Sequence, residues 1–380
     1  MELTDYRNRI NEIDEEIVKL FTERMDVSTK IAAYKKENQL PVYDAARERE
    51  KLNDVESRLP EGLKDYGLSL YSLLMDLSKN YQRSVLSDAH VQSARIRKAM
   101  EDTQELFPEK ATVACQGVEG AYSQAACDRL FRLPNVLYFQ TFDAVFGAIE
   151  KGLCRYGVIP LENSSAGSVN EVYDLMMKHN FSIVRSVRVK VDHNLLVKPG
   201  TKLSEIKEIY SHEQAISQCS AFLETLKDVK IIPYENTAMA AELVAKSERR
   251  DIAALSSRSC AELYELEVLQ ENVQNSGNNY TRFICISKDL EIYPGADRTS
   301  LMLILPHTPG ALYKALSGFY ARGVNINKLE SRPIPERNFE FMFYFDVESS
   351  VYAPRFAELM DDMENLCEEF VYLGSYTEIV

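Results

Sequence analysis

The chain has 380 residues, 45% of them hydrophobic and 27% charged, a length beyond which one hydrophobic core stops growing and a composition that excludes wholesale disorder. Its net charge is −14 and its pI about 5.0, which repels phosphate backbones and anionic lipid and excludes a nucleic-acid role without a local basic patch. The start, Met1 to Asp5, has neither a cationic nor an apolar leader pattern and no apolar run reaches membrane-spanning length, so a cytoplasmic location is expected. The seven cysteines are odd in number and form no C-x-x-C pair, and they are read as small buried hydrophobes with no metal site.

Only Gly62 and Gly67 precede residue 110, and neither Gly nor Pro interrupts Tyr6 to Asn38. Within that stretch Ile10, Ile13, Ile17, Leu20, Phe21, Val27 and Ile31 recur at three- and four-residue spacing, which predicts one long helix. Pro41 stops it, Asp44 is the candidate N-cap of a second helix to about Arg58, and Leu68 to about Met100 reads as a third. Residues 1–105 are therefore expected to form an all-α domain.

From Ala111 the texture changes to short apolar runs between amphipathic segments, the pattern of a two-lobed α/β domain with a mainly parallel sheet over residues 111–288. Pro294-Gly295 marks a linker. Residues 298–380 then read strand, helix, strand, strand, helix, strand, the α+β ferredoxin-like βαββαβ order. The fold class is multidomain: all-α, then α/β, then α+β.

Arg24 and Lys35 fall within the apolar arc of the first helix, so burying that arc would bury two cations, each needing an anion from the protein or from an acidic ligand. Arg7 borders the same face but lies about 25 Å from Arg24 along the axis at 1.5 Å per residue. A shared small ligand would need Arg7 from an antiparallel partner helix, hence an intertwined dimer. The pairs Asp44/Glu48 and Ser78/Gln82 are four apart, and the simplest reading of each is a solvated helix face. As a set, Arg7, Glu23-Arg24, Lys35, Pro41-Val42, Asp44, Arg47-Glu48 and Ser78 with Gln82 resemble the all-helical chorismate mutases. The resemblance implies that Arg7, Arg24 and Arg47 bind the carboxylates of chorismate beside Asp44 and Ser78, that Lys35 and Gln82 donate to the ether oxygen, and that Glu48 holds the hydroxyl. A pericyclic rearrangement suits such a site, since it needs positioning and charge stabilisation but no nucleophile or metal.

Four polar segments stand out in the α/β region: Gly117-Val118-Glu119-Gly120-Ala121-Tyr122-Ser123, Glu162-Asn163-Ser164-Ser165-Ala166-Gly167-Ser168-Val169, Ser211-His212-Glu213-Gln214-Ala215-Ile216, and Asn279-Tyr280-Thr281-Arg282-Phe283. The first lacks the Lys-Ser/Thr of a P-loop and the third Gly of a dinucleotide fingerprint; the third has Ile216 where a zincin has its second histidine. Together they resemble the prephenate dehydratases. That resemblance implies Thr281 as the proton-donating hydroxyl, Arg282 as a carboxylate binder, and Asn163, Ser164, Ser211 and Gln218 as groups positioning the ring, with Glu213 departing from the family's usual proline.

The last domain resembles the ACT amino-acid sensors through Thr308-Pro309-Gly310-Ala311-Leu312-Tyr313 and Leu329-Glu330-Ser331-Arg332-Pro333. It implies an effector site at Gly310, Ala311, Leu312, Glu330, Ser331 and Arg332, where a helix N-terminus suits a carboxylate and Glu330 an ammonium. The joint expectation is a bifunctional enzyme of phenylalanine biosynthesis acting on chorismate and prephenate, inhibited by L-phenylalanine, with no metal or organic cofactor. It is expected to be a homodimer, with further pairing into tetramers left open. A chain cut after Pro294 should keep its dehydratase activity and lose inhibition. The rival reading, a non-catalytic ligand sensor, is disfavoured by the polar set at 163, 211, 218, 281 and 282.

Overall fold

The computed structural model describes residues 2–38, 45–86, 91–335, 337 and 340–380, with the side chains of 45, 80 and 83–86 excepted. The chain packs as two compact units, one of residues 1–94 with 357–366, the other of residues 95–356 with 367–380. No helix among the described residues is long and apolar enough to cross a membrane.

The first unit holds α1 (Leu3–Glu37), α2 (Ala45–Arg58), α3 (Lys64–Leu86) and the start of α4 (Val91–Asp102). The described residues of the expected third helix fall in α3 and α4, with residues 87–90 between them outside the described set. The start of α4 is capped from α13 (Phe356–Leu366). The Asp361 carboxylate accepts the backbone N–H of Gln92 (3.1 Å) and of Ser93 (3.2 Å), the donors a helix start leaves free. On α1 only Ser28 and Ala32 are fully buried. Ile10, Ile17, Val18 and Leu20 are each more than half exposed, so the apolar stripe is not covered within one chain.

The second unit opens with β1 (Lys110–Gln116), α5 (Tyr122–Leu130), β2 (Leu133–Phe139), α6 (Phe142–Glu150), β3 (Tyr156–Asn163), β4 (Gly167–Ser168), α7 (Asn170–Met176) and β5 (Ser182–Lys190). The chain then crosses to a second lobe of β6 (Asn194–Val197), β7 (Glu208–Ser211), α8 (Glu213–Gln218), α9 (Ser220–Leu223), β8 (Lys230–Pro233), α10 (Thr237–Lys246), β9 (Ile252–Ser256), α11 (Arg258–Leu263) and β10 (Glu267–Gln270). It returns as β11 (Tyr280–Ser287). Both sheets are mixed rather than mainly parallel. In the first lobe β11 inserts antiparallel between β3 and β5, while β1 pairs parallel with β2 and β3; in the second, β7 pairs parallel with β8 and β9, and β6 is antiparallel. The carboxyl ends of β1, β3, β7 and β9 are Gln116, Asn163, Ser211 and Ser256, the strand ends beside which α/β sheets bind ligands.

The tail follows as β12 (Arg298–Ile304), α12 (Ala311–Tyr320), β13 (Asn325–Pro333), β14 (Phe341–Glu348), α13 (Phe356–Leu366), β15 (Glu369–Tyr376) and β16 (Glu378–Ile379). Its sheet runs β13-β14-β12-β15, all antiparallel, as the βαββαβ order predicts. This sheet does not stand apart. One core runs from Ile159, Leu161 and Ile284 through Tyr173 to Tyr344 and Tyr376, with the rings of Tyr173 and Tyr344 edge to face at 5.1 Å. At Gly374 (φ +143°) a Cβ would overlap the carbonyl oxygen of Ile183 on β5, so only glycine permits β15 to come this close. Finally β16 adds to the first lobe's sheet beside β5, with Glu378 opposite Ser186 and Ile379 opposite Val187.

Candidate active sites

In the helical unit the expected cations divide. Arg24 is half-buried and donates to the Leu74 carbonyl (3.0 Å) and to the Ser78 hydroxyl, both on α3. Burial lowers its pKa, and among the described residues its hydrogen-bond acceptors are neutral. A guanidinium held this way keeps its charge for an anionic ligand. Lys35 is half-buried on α1, and Arg7 and Arg47 are exposed, Arg47 pairing with Glu50 at 2.6 Å. Ser78 and Gln82 are 5% and 8% exposed, which corrects the solvated-face reading: they lie on the side of α3 that meets α1, and Gln82 Oε1 is buried without a partner. Glu48 is half-buried and ion-paired at 2.7 Å with Lys79, which also reaches Asp76 at 2.9 Å. Burial would lower the Lys79 pKa, but its two carboxylates outweigh that and raise it. Asp44 lies outside the described residues.

In the α/β unit the carboxyl end of β3 meets the start of β11, where Asn163 stands opposite Thr281 across the strand pair. Asn163 Oδ1 accepts two backbone N–H groups, Ser165 (3.0 Å) and Ala166 (2.9 Å), which can only donate. That fixes its amide, and Nδ2 donates to Thr281 Oγ1 (2.9 Å) and Asn279 Oδ1 (2.9 Å). Asn279 Nδ2 in turn donates to Gln218 Oε1 (2.9 Å) on α8 of the second lobe. A chain of oriented amides therefore links three expected residues, Asn163, Thr281 and Gln218, across the two lobes. Since Thr281 accepts here, its own proton remains available to another acceptor.

The other expected residues do different work. Ser164 Oγ donates to the Asn278 carbonyl (3.0 Å) and accepts from the Tyr280 N–H (2.9 Å), pinning the loop after β3 to the start of β11. Ser211 is fully buried and donates to the Leu255 carbonyl (2.7 Å). Glu213 is the first residue of α8, a position where proline is tolerated and a carboxylate suits the helix dipole, so the departure leaves the helix start intact.

Arg282 is placed differently from Thr281. Successive strand residues point to opposite faces, so the two side chains leave β11 on opposite sides. Arg282 is 5% exposed and pairs with Asp346, with Glu378 (2.9 Å) and with Glu162 (3.4 Å). Burial alone would lower its pKa, but Tyr376 and Asp346 hold it above its ordinary value; burial raises that of Asp346, which has only a share of the arginine.

A cavity of about 530 Å³ lies between the lobes, lined by Glu119, Gly120 and Tyr122 on one side and Ser257 and Arg258 on the other. Thr281 is not on its wall; Tyr122 is, and its ring meets His193 edge to face at 6.2 Å. At the tail, Gly310 (φ +84°) precedes α12 with open space around it. Ala311 and Leu312 form the first turn of α12. Along β13, Glu330 accepts from Ser168 (2.6 Å), Arg332 forms a two-bond pair with Asp174 (2.9 Å each), and Ser331 between them is exposed. Two of the three expected strand residues thus engage the α/β lobe. Lys79 and His193 are outside the sequence-predicted set, because a lone Lys or His carries no spacing signal; Asn279 lies in a quoted segment, but its place between Asn163 and Gln218 is a matter of tertiary structure.

A half-buried arginine whose hydrogen-bond acceptors among the described residues are neutral, in the helical unit, and a threonine hydroxyl oriented by an amide chain, in the α/β unit, are features of a small-molecule enzyme. Residues 6–83 match the family Chorismate mutase type II, and residues 113–291 match Prephenate dehydratase. The bifunctional chorismate mutase/prephenate dehydratase of Aquifex aeolicus (strain VF5) is 30% identical over 380 residues, covering 99% of this chain and 98% of that protein. That of Enterobacter agglomerans is 32% identical over 376 residues, covering 97% and 94%. Among solved structures, the prephenate dehydratase of Arthrobacter aurescens in complex with L-Phe is 26% identical, covers 70% of this chain and 89% of that one, and has a TM-score of 0.64. The chain belongs to the bifunctional chorismate mutase/prephenate dehydratase family and carries both activities, in phenylalanine biosynthesis.

Proposed function

We propose that Thr281 is the proton-donating hydroxyl of the dehydratase, that Arg24 anchors chorismate in the mutase, and that L-phenylalanine inhibits the dehydratase through the tail, which we take to be an ACT domain. The hydrogen bond from Asn163 to Thr281 is the main support. With its lone pair engaged, the threonine directs its O–H outward, toward the ring hydroxyl that leaves as water while the ring carboxylate leaves as carbon dioxide and its bonding electrons aromatise the ring. An alcohol is a weak acid, so this donor acts by stabilising charge on the departing oxygen. Thr281→Ala is expected to lower dehydratase kcat by about 10²- to 10³-fold, the usual loss for one transition-state donor, and to leave mutase turnover unchanged. Thr281→Ser should recover part of it. Near-parent conversion of prephenate by Thr281→Ala would remove the assignment.

For the mutase, Arg24 with neutral acceptors and Gln82 with an unpartnered Oε1 form a buried polar site on α1 and α3. The uncovered α1 stripe supports a dimer that supplies Arg7 from a partner helix. For inhibition, Glu330 is held by Ser168, five residues after Asn163, and β4 pairs with Glu162 and Asn163. An amino acid at Gly310 whose ammonium draws on Glu330 would therefore compete with Ser168 and disturb the loop that orients Asn163. Ser168→Ala is expected to shift the phenylalanine inhibition curve at least threefold; an unchanged curve with phenylalanine still bound by calorimetry would break the link.

A further inference from the structure

His193 sits at the crossover from β5 to β6, 2% exposed, and has no role assigned to it above. Its backbone N–H donates to Gln274 (3.0 Å) and its carbonyl accepts from Val273 (2.9 Å), so the main chain is fixed on both sides. Its Nε2 lies 2.9 Å from Gln218 Oε1. The direction of that bond follows from the amide chain. Backbone donors fix Asn163, Asn163 fixes Asn279, and Asn279 presents N–H to Gln218, whose oxygen must face it. His193 therefore donates through Nε2, and its Nδ1 is the unprotonated nitrogen. Nδ1 is buried without a hydrogen-bond partner, so a second proton there would have no acceptor, and burial lowers the imidazole pKa accordingly.

The consequence falls on Gln218. Its oxygen receives two donors while its Nε2 is buried and makes no hydrogen bond in the protein. A buried amide N–H₂ without acceptors is costly unless something completes it. We propose that His193 is a positioning residue of the dehydratase: as a neutral Nε2–H donor it locks the Gln218 amide so that Nε2 presents an N–H to an anionic oxygen of the bound substrate. This rests on the reading of Gln218 as a substrate-binding group.

The test is steady-state kinetics of the full chain with prephenate, with the dehydratase melting transition as the control for folding. A carboxylate bond present in both bound and transition states raises KM when lost and leaves kcat nearly unchanged. His193→Leu is expected to raise KM about ten- to a hundredfold with kcat within threefold, the range for a hydrogen bond to a charged group. His193→Gln, which restores an N–H near the Nε2 position, should return KM to within about threefold of the parent. The double change His193→Leu with Gln218→Ala should be no worse than Gln218→Ala alone, since both remove one interaction. An unchanged KM in His193→Leu, equal impairment in His193→Gln, or multiplying losses in the double variant would each overturn the proposal. If Gln218→Ala itself binds prephenate normally, the failure lies with the role of Gln218.

Discussion

Exchanging Arg282 for Gln leaves the buried Asp346 and Glu378 and the half-buried Glu162 without their shared cation, and removing one partner from a buried pair costs about 3–5 kcal/mol. Arg282→Gln is expected to lose that much stability in denaturant unfolding. Asp346→Asn should lose clearly less, because burial already raises the Asp346 pKa and a neutral side chain escapes that desolvation. Equal losses would contradict the assignment of the arginine as the hub. Glu162 behaves oppositely. Burial pushes its pKa up, but Lys328 and Arg282 outweigh this and lower it. Its stabilisation is therefore full above the ordinary glutamate pKa and is lost as pH falls through the lowered folded value. In Glu162→Gln the acid limb of the stability profile should flatten below about pH 4.3, the ordinary glutamate pKa. The adjacent pair Thr281-Arg282 was readable as a motif, but how its two side chains divide was not: a motif is contiguous in sequence, whereas a strand sends its neighbours to opposite faces.

Helix α1 illustrates what element-level reading can and cannot supply. An uninterrupted 3.6-residue pattern over Leu3–Glu37 was enough to place it, and the cations within the pattern were enough to suggest a ligand. The side of α3 it meets was not legible, because Ser78 and Gln82 are polar and periodicity counts only apolar positions. Sheet order failed for a similar reason: β11 follows the second lobe in sequence but inserts beside β3, and no local pattern records a strand's partners. The exposed stripe of α1 leads to a complementation experiment. Chains carrying Arg7→Ala and chains carrying Lys35→Ala are expected to be inactive as mutases alone. Once subunit exchange is complete, the mixture should recover about one site in four, the statistical share when half the dimers are mixed and each holds one intact site. A mixture as inactive as its parents would exclude a shared site.

At the scale of the molecule, the α/β lobe and the tail sheet form one body, and a cut after Pro294 would strip Arg282 of Asp346 and Glu378 and Glu162 of Lys328. The expectation that such a cut spares the dehydratase therefore gives way to loss of that activity together with inhibition. A gentler version is a chain ending at Thr377. It lacks β16 and Val380, and with them the Glu378 carboxylate that pairs with Arg188 (2.6 Å) and Arg282 (2.9 Å) and the Val380 carbonyl that accepts from Arg129 (3.0 Å). Its dehydratase melting transition should fall by roughly 6–20 °C, from about 3–5 kcal/mol at about 2–4 °C each, while the mutase, whose side chains lie on α1 to α3, keeps its turnover. An unshifted transition would show that β16 is dispensable.

Strand β16 also sets an order of events in time. During synthesis a domain ordinarily folds once its own segment has left the ribosome. Here the first lobe's sheet has an unpaired edge along β5 until Glu378 and Ile379 emerge, long after β5 itself has been made. The nascent dehydratase must wait with that edge open while the tail is translated, so the two are made as one folding unit, and slowing translation between residues 288 and 378 should lengthen the interval in which the open edge can be captured by chaperones or by other chains.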